Sequence, residues 1–132
     1  LEMILNGGIK TIEDIKDHLQ WADGVMIGRA AYSNPYLLAE IQSEIFSSPS
    51  TLSRTEVIDR FIPYVEAQLK AGIKLTSLTR HILGLFQNMP GAARWRRYLS
   101  QESHKQNADA SVISQALMAI MAPNDSIMQD GA

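Results

Sequence analysis

Apolar positions follow one pattern in the first third of this chain and another in the rest. Met3-Ile4-Leu5 is a short apolar run ending in Asn6-Gly7-Gly8, the pattern of a buried strand that closes in a glycine turn. Thr11 with Asp14 forms a capping-box start, and Ile12, Ile15 and Leu19 recur at helical spacing, so a helix follows and Trp21-Ala22-Asp23 closes the unit. Gly24-Val25-Met26-Ile27 is apolar without alternation, which predicts a second strand covered on both faces in a parallel sheet. It ends at Gly28-Arg29. Ala30 to Ser33 reads as one helical turn, and Asn34-Pro35 opens a longer helix through Tyr36, Leu37, Leu38, Ile41 and Ile45. Strand, helix, strand, helix with short joints predicts β-α units of a parallel sheet.

The polar segment 47–53, Ser-Ser-Pro-Ser-Thr-Leu-Ser, marks a boundary, with an α/β part over residues 1–48 and an all-α part over 49–122. Ser53 with Glu56 suggests a capping box, and Val57, Ile58, Phe61, Val65 and Leu69 form a stripe running to Gly72, a C-terminal cap. Pro63 should kink or divide this helix. A second helix is expected over Thr76–Gln87, with Leu78, Ile82, Leu85 and Phe86 inward. A third runs from Pro90-Gly91 to Ser103 with Trp95, Tyr98 and Leu99 on its apolar side. Asp109 caps a fourth that carries Val112, Ile113, Leu117 and Ile120. Four helices with short joints predict a small bundle, followed by a loose tail over 123–132.

Composition bounds what such a chain can do. At 132 residues it is too short for a complete eight-fold barrel of about 250 residues, yet 45% apolar content is enough to bury a core. There is no cysteine, which excludes disulfides, thiolate metal sites and a cysteine nucleophile within these residues. No apolar run is long enough to span a bilayer, and the strand pattern at Leu1 reads as part of something longer. The net charge of −2 hides a segregation: residues 1 to 50 hold seven acids and three bases, whereas residues 76 to 105 hold five bases and one acid. Such asymmetry fits an anionic partner for the later segment, and fits an ordinary solvated basic face as well.

Two groups of residues could carry chemistry. Gly7-Gly8 and Gly28-Arg29 each follow a strand, twenty-one residues apart. Glycine lets the backbone approach a ligand, a helix start presents unpaired amides, and arginine adds bidentate hydrogen bonds, so the pair suits a phosphate. Either glycine site alone is also explained by a plain turn. The second group is Arg80-His81 and Arg94-Trp95-Arg96-Arg97, in which Arg94 and Arg97 share a helix face. Two guanidinium groups on one face suit phosphate oxygens or a stacked base, and also suit solvent. Trp95 reads as core and His81 as a hydrogen-bonded structural histidine. His18 reads as exposed and His104 as a complement to a helix end. No metal-ligand spacing, nucleophile elbow or Walker loop occurs.

Asn6-Gly7-Gly8-Ile9, then Asp23-Gly24-Val25-Met26-Ile27-Gly28-Arg29-Ala30-Ala31 and Asn34-Pro35, resemble the last two β-α units of a flavin-dependent tRNA-dihydrouridine synthase. Thr79-Arg80-His81-Ile82-Leu83-Gly84-Leu85-Phe86-Gln87, with Pro90-Gly91-Ala92 and Trp95-Arg96-Arg97-Tyr98-Leu99-Ser100, resemble the helical domain of its A subfamily. The resemblance runs over roughly residues 2 to 120, and its second motif is the more specific. It implies a TIM barrel that binds FMN, recharged by NADPH, and reduces the C5–C6 bond of uridines 20 and 20a in the tRNA D-loop. By resemblance, Asn6, Gly7 and Gly8 contribute to the FMN site, and Gly28 and Arg29 hold its phosphate. Arg94 and Arg97 orient the tRNA, with Arg80 and Arg96 in support, because tRNA in this family lies across a positive groove between barrel and helical domain. The family's catalytic cysteine has no counterpart here.

The expected reading is thus the end of such an enzyme: a TIM-barrel remnant and a tRNA-binding helical domain, in a cytoplasmic protein favoured to be monomeric and free of metal. Alone, the chain is expected to be inactive. Two rivals are the end of another flavin or sugar-phosphate barrel enzyme, and a free-standing helical interaction module.

Overall fold

The structure, a computed structural model, describes residues 2–49 and 51–121. The tail expected over 123–132 lies outside them. The chain divides into two compact units, Leu1–Ser53 and Arg54–Ala132, so the division falls at the end of the polar segment.

The first unit runs β1 (Ile4–Asn6), α1 (Ile12–Leu19), β2 (Gly24–Met26), α2 (Arg29–Ser33) and α3 (Leu37–Glu44). The strands pair in parallel, Ile4 opposite Gly24, Leu5 opposite Val25 and Asn6 opposite Met26. The capping box forms: Thr11 Oγ1 accepts from the Asp14 amide at 3.1 Å, and the Asp14 carboxylate accepts from the amides of Thr11 and Lys10. Asp23 ties the two strands together, its carboxylate accepting from the Met3 amide at 2.7 Å and its own amide donating to the Met3 carbonyl. Ile9, Ile12, Ile15 and Leu37 form the core, with Leu5, Leu19, Val25, Ile27 and Ile41 packed on it.

The strands depart from expectation, since they are not covered on both faces. The face carrying Leu5 and Val25 meets the core, but Ile4 is 64% and Met26 47% exposed on the other. Two strands cannot curl round on themselves, so the face turned away from the helices has nothing in this unit to pack against. His18 also departs: it is half-buried, with Nδ1 2.6 Å from the Asp14 carbonyl and its ring edge-on to Trp21.

The second unit is helical: α4 (Arg54–Lys70), α5 (Leu75–Thr79), a 3-10 turn at Arg80–Ile82, α6 (Ala92–Glu102) and α7 (Ser111–Met121). Pro63 does not divide α4, which runs unbroken from Arg54 to Lys70 with Pro63 and Asp59 both exposed. Gly72 and Ile73 donate to the carbonyls of Leu69 and Gln68, a Schellman end.

The helix expected over Thr76–Gln87 is broken. After Ile82 the chain advances by three-residue turns, with amides of Leu85, Gln87, Met89 and Ala92 donating to carbonyls of Ile82, Gly84, Phe86 and Met89. Side chains take up carbonyls that a regular helix would use: Trp95 Nε1 donates to Ile82 at 2.8 Å and Arg54 Nε to Leu85 at 2.9 Å. Trp95 is fully buried, its ring edge-on to Phe86 at 4.8 Å, and Ile58, Val65, Leu78, Leu85, Leu99 and Ile113 of this unit are buried as well. At the start of α6, Gly91 has φ +87° and approaches Ile120 so closely that an added Cβ would lie 3.0 Å from the Ile120 Cβ. A side chain there would push α7 away.

Candidate functional site

In the first unit the parallel register puts the ends of both strands at one edge of the sheet, so Gly7-Gly8 and Gly28-Arg29 leave it on the same side. Asn6, Gly7, Gly8, Gly28 and Arg29 are all exposed there. Gly7 and Gly8 have φ of +101° and +71°, a left-handed turn that side chains resist, and no atom lies within 4 Å of where a Cβ would stand on either. The space beside Gly28 is equally open. Arg29 makes no hydrogen bond or ion pair among the described residues. Two open glycine turns and an uncommitted guanidinium fit part of a phosphate site. Asn34, where α2 passes to α3, keeps its side-chain oxygen buried without a hydrogen-bond partner among the described residues.

In the second unit the arginines separate. Arg94 is half-buried and donates to the Ala119 carbonyl at 3.2 Å, which fastens α6 to α7. The side chains of Arg80, Arg96 and Arg97 are exposed and make no hydrogen bond or ion pair among the described residues. Arg94 and Arg97, expected to act together, therefore differ: one is anchored and one projects to solvent. His81 is exposed. Trp95 sits in the core as the pattern indicated.

The structure adds a notch of about 190 Å³ that sequence spacing did not indicate. Thr76, Thr79, Arg80 and Leu83 line it from α5 and the segment after it, and Leu99, Ser100, Ser103 and His104 from α6 and its end. Thr79 Oγ1 donates to Ser103 Oγ at 3.1 Å, and both residues are buried. The only sequence signal was a run of hydroxyl residues at helical spacing, Ser100 on α6 with Ser103 at its C-terminal cap, and Thr76 and Thr79 on α5. Arg96 precedes Ser100 by one turn on the same side of α6. Among the described residues no group of three or more His, Cys, Asp or Glu side chains could hold a metal, and no helix is long and apolar enough to cross a membrane.

Comparison with known proteins supplies a family. The chain is 50% identical over 121 residues to a tRNA-dihydrouridine(20/20a) synthase of Vibrio vulnificus, covering 91% of this chain and 37% of that protein. The protein of the same description from Vibrio cholerae is 51% identical over the same length and coverage. That of Escherichia coli K12 is 50% identical, with 35% of it covered. The chain thus spans little more than a third of the length of these curated relatives. The sequence profile described as "Dihydrouridine synthase (Dus)" matches residues 1–121, nearly the whole of it, and the chain belongs to the dihydrouridine synthase family.

Proposed function

We propose that this chain forms the end of a flavin-dependent tRNA-dihydrouridine synthase acting on uridines 20 and 20a. The observation that carries the reading is the pair of open glycine turns, Gly7-Gly8 and Gly28-Arg29, brought to one edge of a parallel sheet. In this reading the first unit is the last two β-α units of a TIM barrel. The exposed face of Ile4 and Met26 and the unpartnered Asn34 oxygen support it, because further strands would cover the one and offer donors to the other.

FMN, reduced by NADPH, supplies the hydride for the C5–C6 bond when bound. Gly7 and Gly8 let the backbone close on the cofactor beside Asn6, and Arg29 neutralises its phosphate next to Gly28. The second unit, a small four-helix bundle, holds the tRNA. Exposed Arg80, Arg96 and Arg97 contact backbone phosphates, while Arg94 locks α6 to α7 in support of them. Reduction needs a proton from a residue this sequence lacks, since it holds no cysteine. The protein works in the cytoplasm as a monomer.

Replacing the matching segment of the Vibrio cholerae relative with residues 2–121 of this chain tests the reading. The chimera is expected to form dihydrouridine at positions 20 and 20a of unmodified tRNA, and Arg29→Ala within it to lower flavin retention. A folded chimera that keeps flavin and modifies no tRNA contradicts the assignment.

A further inference from the structure

The notch between α5 and the end of α6 has no part in the phosphate loops of the first unit. Its volume, about 190 Å³, falls below the roughly 300 to 1,000 Å³ of sites that enclose a whole drug-sized ligand. It is therefore suited to one unit of something larger whose remainder stays outside. Its walls are of two kinds. Inside are hydroxyl groups: Thr79 Oγ1 donates to Ser103 Oγ, so the Ser103 proton and the Thr79 lone pairs keep unused capacity, and Ser100 adds a third hydroxyl. At the rim is cationic Arg80, exposed, its guanidinium without a hydrogen bond or ion pair among the described residues. The last turn of α6 contributes carbonyl ends, which disfavour an anion deep inside and leave the rim as the place for one.

A group that offers a neutral hydroxyl to the interior and an anion to the rim, as one unit of a polymer, is a ribose with its phosphate. We propose that this notch is a ribose-phosphate subsite for one nucleotide of an RNA strand. Arg80 takes the phosphate, and the Ser100, Ser103 and Thr79 hydroxyls face the ribose 2′-OH. A hydroxyl that both donates and accepts matches a floor with a spare donor and spare acceptors, and the 2′-OH is the group that distinguishes RNA from DNA. Arg96, one turn before Ser100, lies where the next phosphate along the strand would pass. The inference rests on the proposal that the second unit holds tRNA, and adds to it a sugar-specific contact.

The test is fluorescence anisotropy on the full 132-residue chain with a labelled single-stranded RNA and its all-deoxy counterpart of identical sequence. The intact chain is expected to prefer RNA by roughly ten-fold, about one hydrogen bond to a charged or strongly polar partner. Ser100→Ala, an exposed position that leaves the core untouched, is expected to shrink that preference by weakening RNA alone. Arg80→Gln is expected to weaken both strands by roughly ten-fold. RNA binding that is lost in Arg96→Ala plus Arg97→Ala but unchanged in both Ser100→Ala and Arg80→Gln overturns the subsite and leaves the RNA-holding role standing. Absence of binding to any RNA overturns both.

Discussion

At Asp14 a single carboxylate holds the start of α1. The Lys10 amide, then Thr11, donates to it and keeps its pKa below the ordinary carboxylate value. A folded-state pKa below the unfolded one means stabilisation that is complete above about pH 4 and is lost as pH falls through the folded value. The first unit is therefore expected to lose helicity on acidification, and Asp14→Asn to remove that acid limb in a circular-dichroism titration while lowering stability at pH 7. Asp109 works the same way in the second unit, its pKa lowered by the Ser111 hydroxyl and amide at the start of α7. The arginines proposed to meet cofactor and RNA show the opposite habit. Arg29, Arg80, Arg96 and Arg97 spend nothing on internal bonds, whereas Arg94 and Arg54 are tied to backbone carbonyls. Uncommitted guanidinium groups are the ones with capacity for phosphate.

Among the elements, the helix pair α6 and α7 depends on one close approach. Gly91→Ala would combine a left-handed φ with a Cβ 3.0 Å from that of Ile120, and is expected to destabilise the second unit by about 1–3 kcal/mol in urea denaturation. Helices α1, α3, α4, α6 and α7 were legible from their spacing and caps, because each packs one stripe against its own unit. The segment after Thr79 was not, because Trp95 and Arg54, distant in sequence, bind carbonyls there and three-residue turns replace the helix. Strand burial was misjudged for a related reason: apolar Ile4 and Met26 record a cover that two strands cannot supply. The glycine turns were legible from sequence since their chemistry is local. The notch was not, since Thr79 and Ser103 meet only when α5 packs on α6.

As a whole, the chain carries one edge of open glycine turns and one cationic helical unit, in 132 residues that cover about a third of its relatives. On the proposed reading, the two glycine turns alone leave the flavin ring unsupported, so FMN titrated into the chain is expected to give no tight stoichiometric complex by fluorescence quenching. Partial function should survive in the helical unit, whose cations need no cofactor. The most direct measurement is the affinity of the chain for unmodified tRNA as a function of salt, with and without Arg96→Ala plus Arg97→Ala. Binding that falls with salt, and a double variant that binds more weakly with a log–log slope reduced by about two, is the expected result. Binding that is absent, or identical in slope and strength in the double variant, would contradict the assignment of this unit as the part that holds RNA.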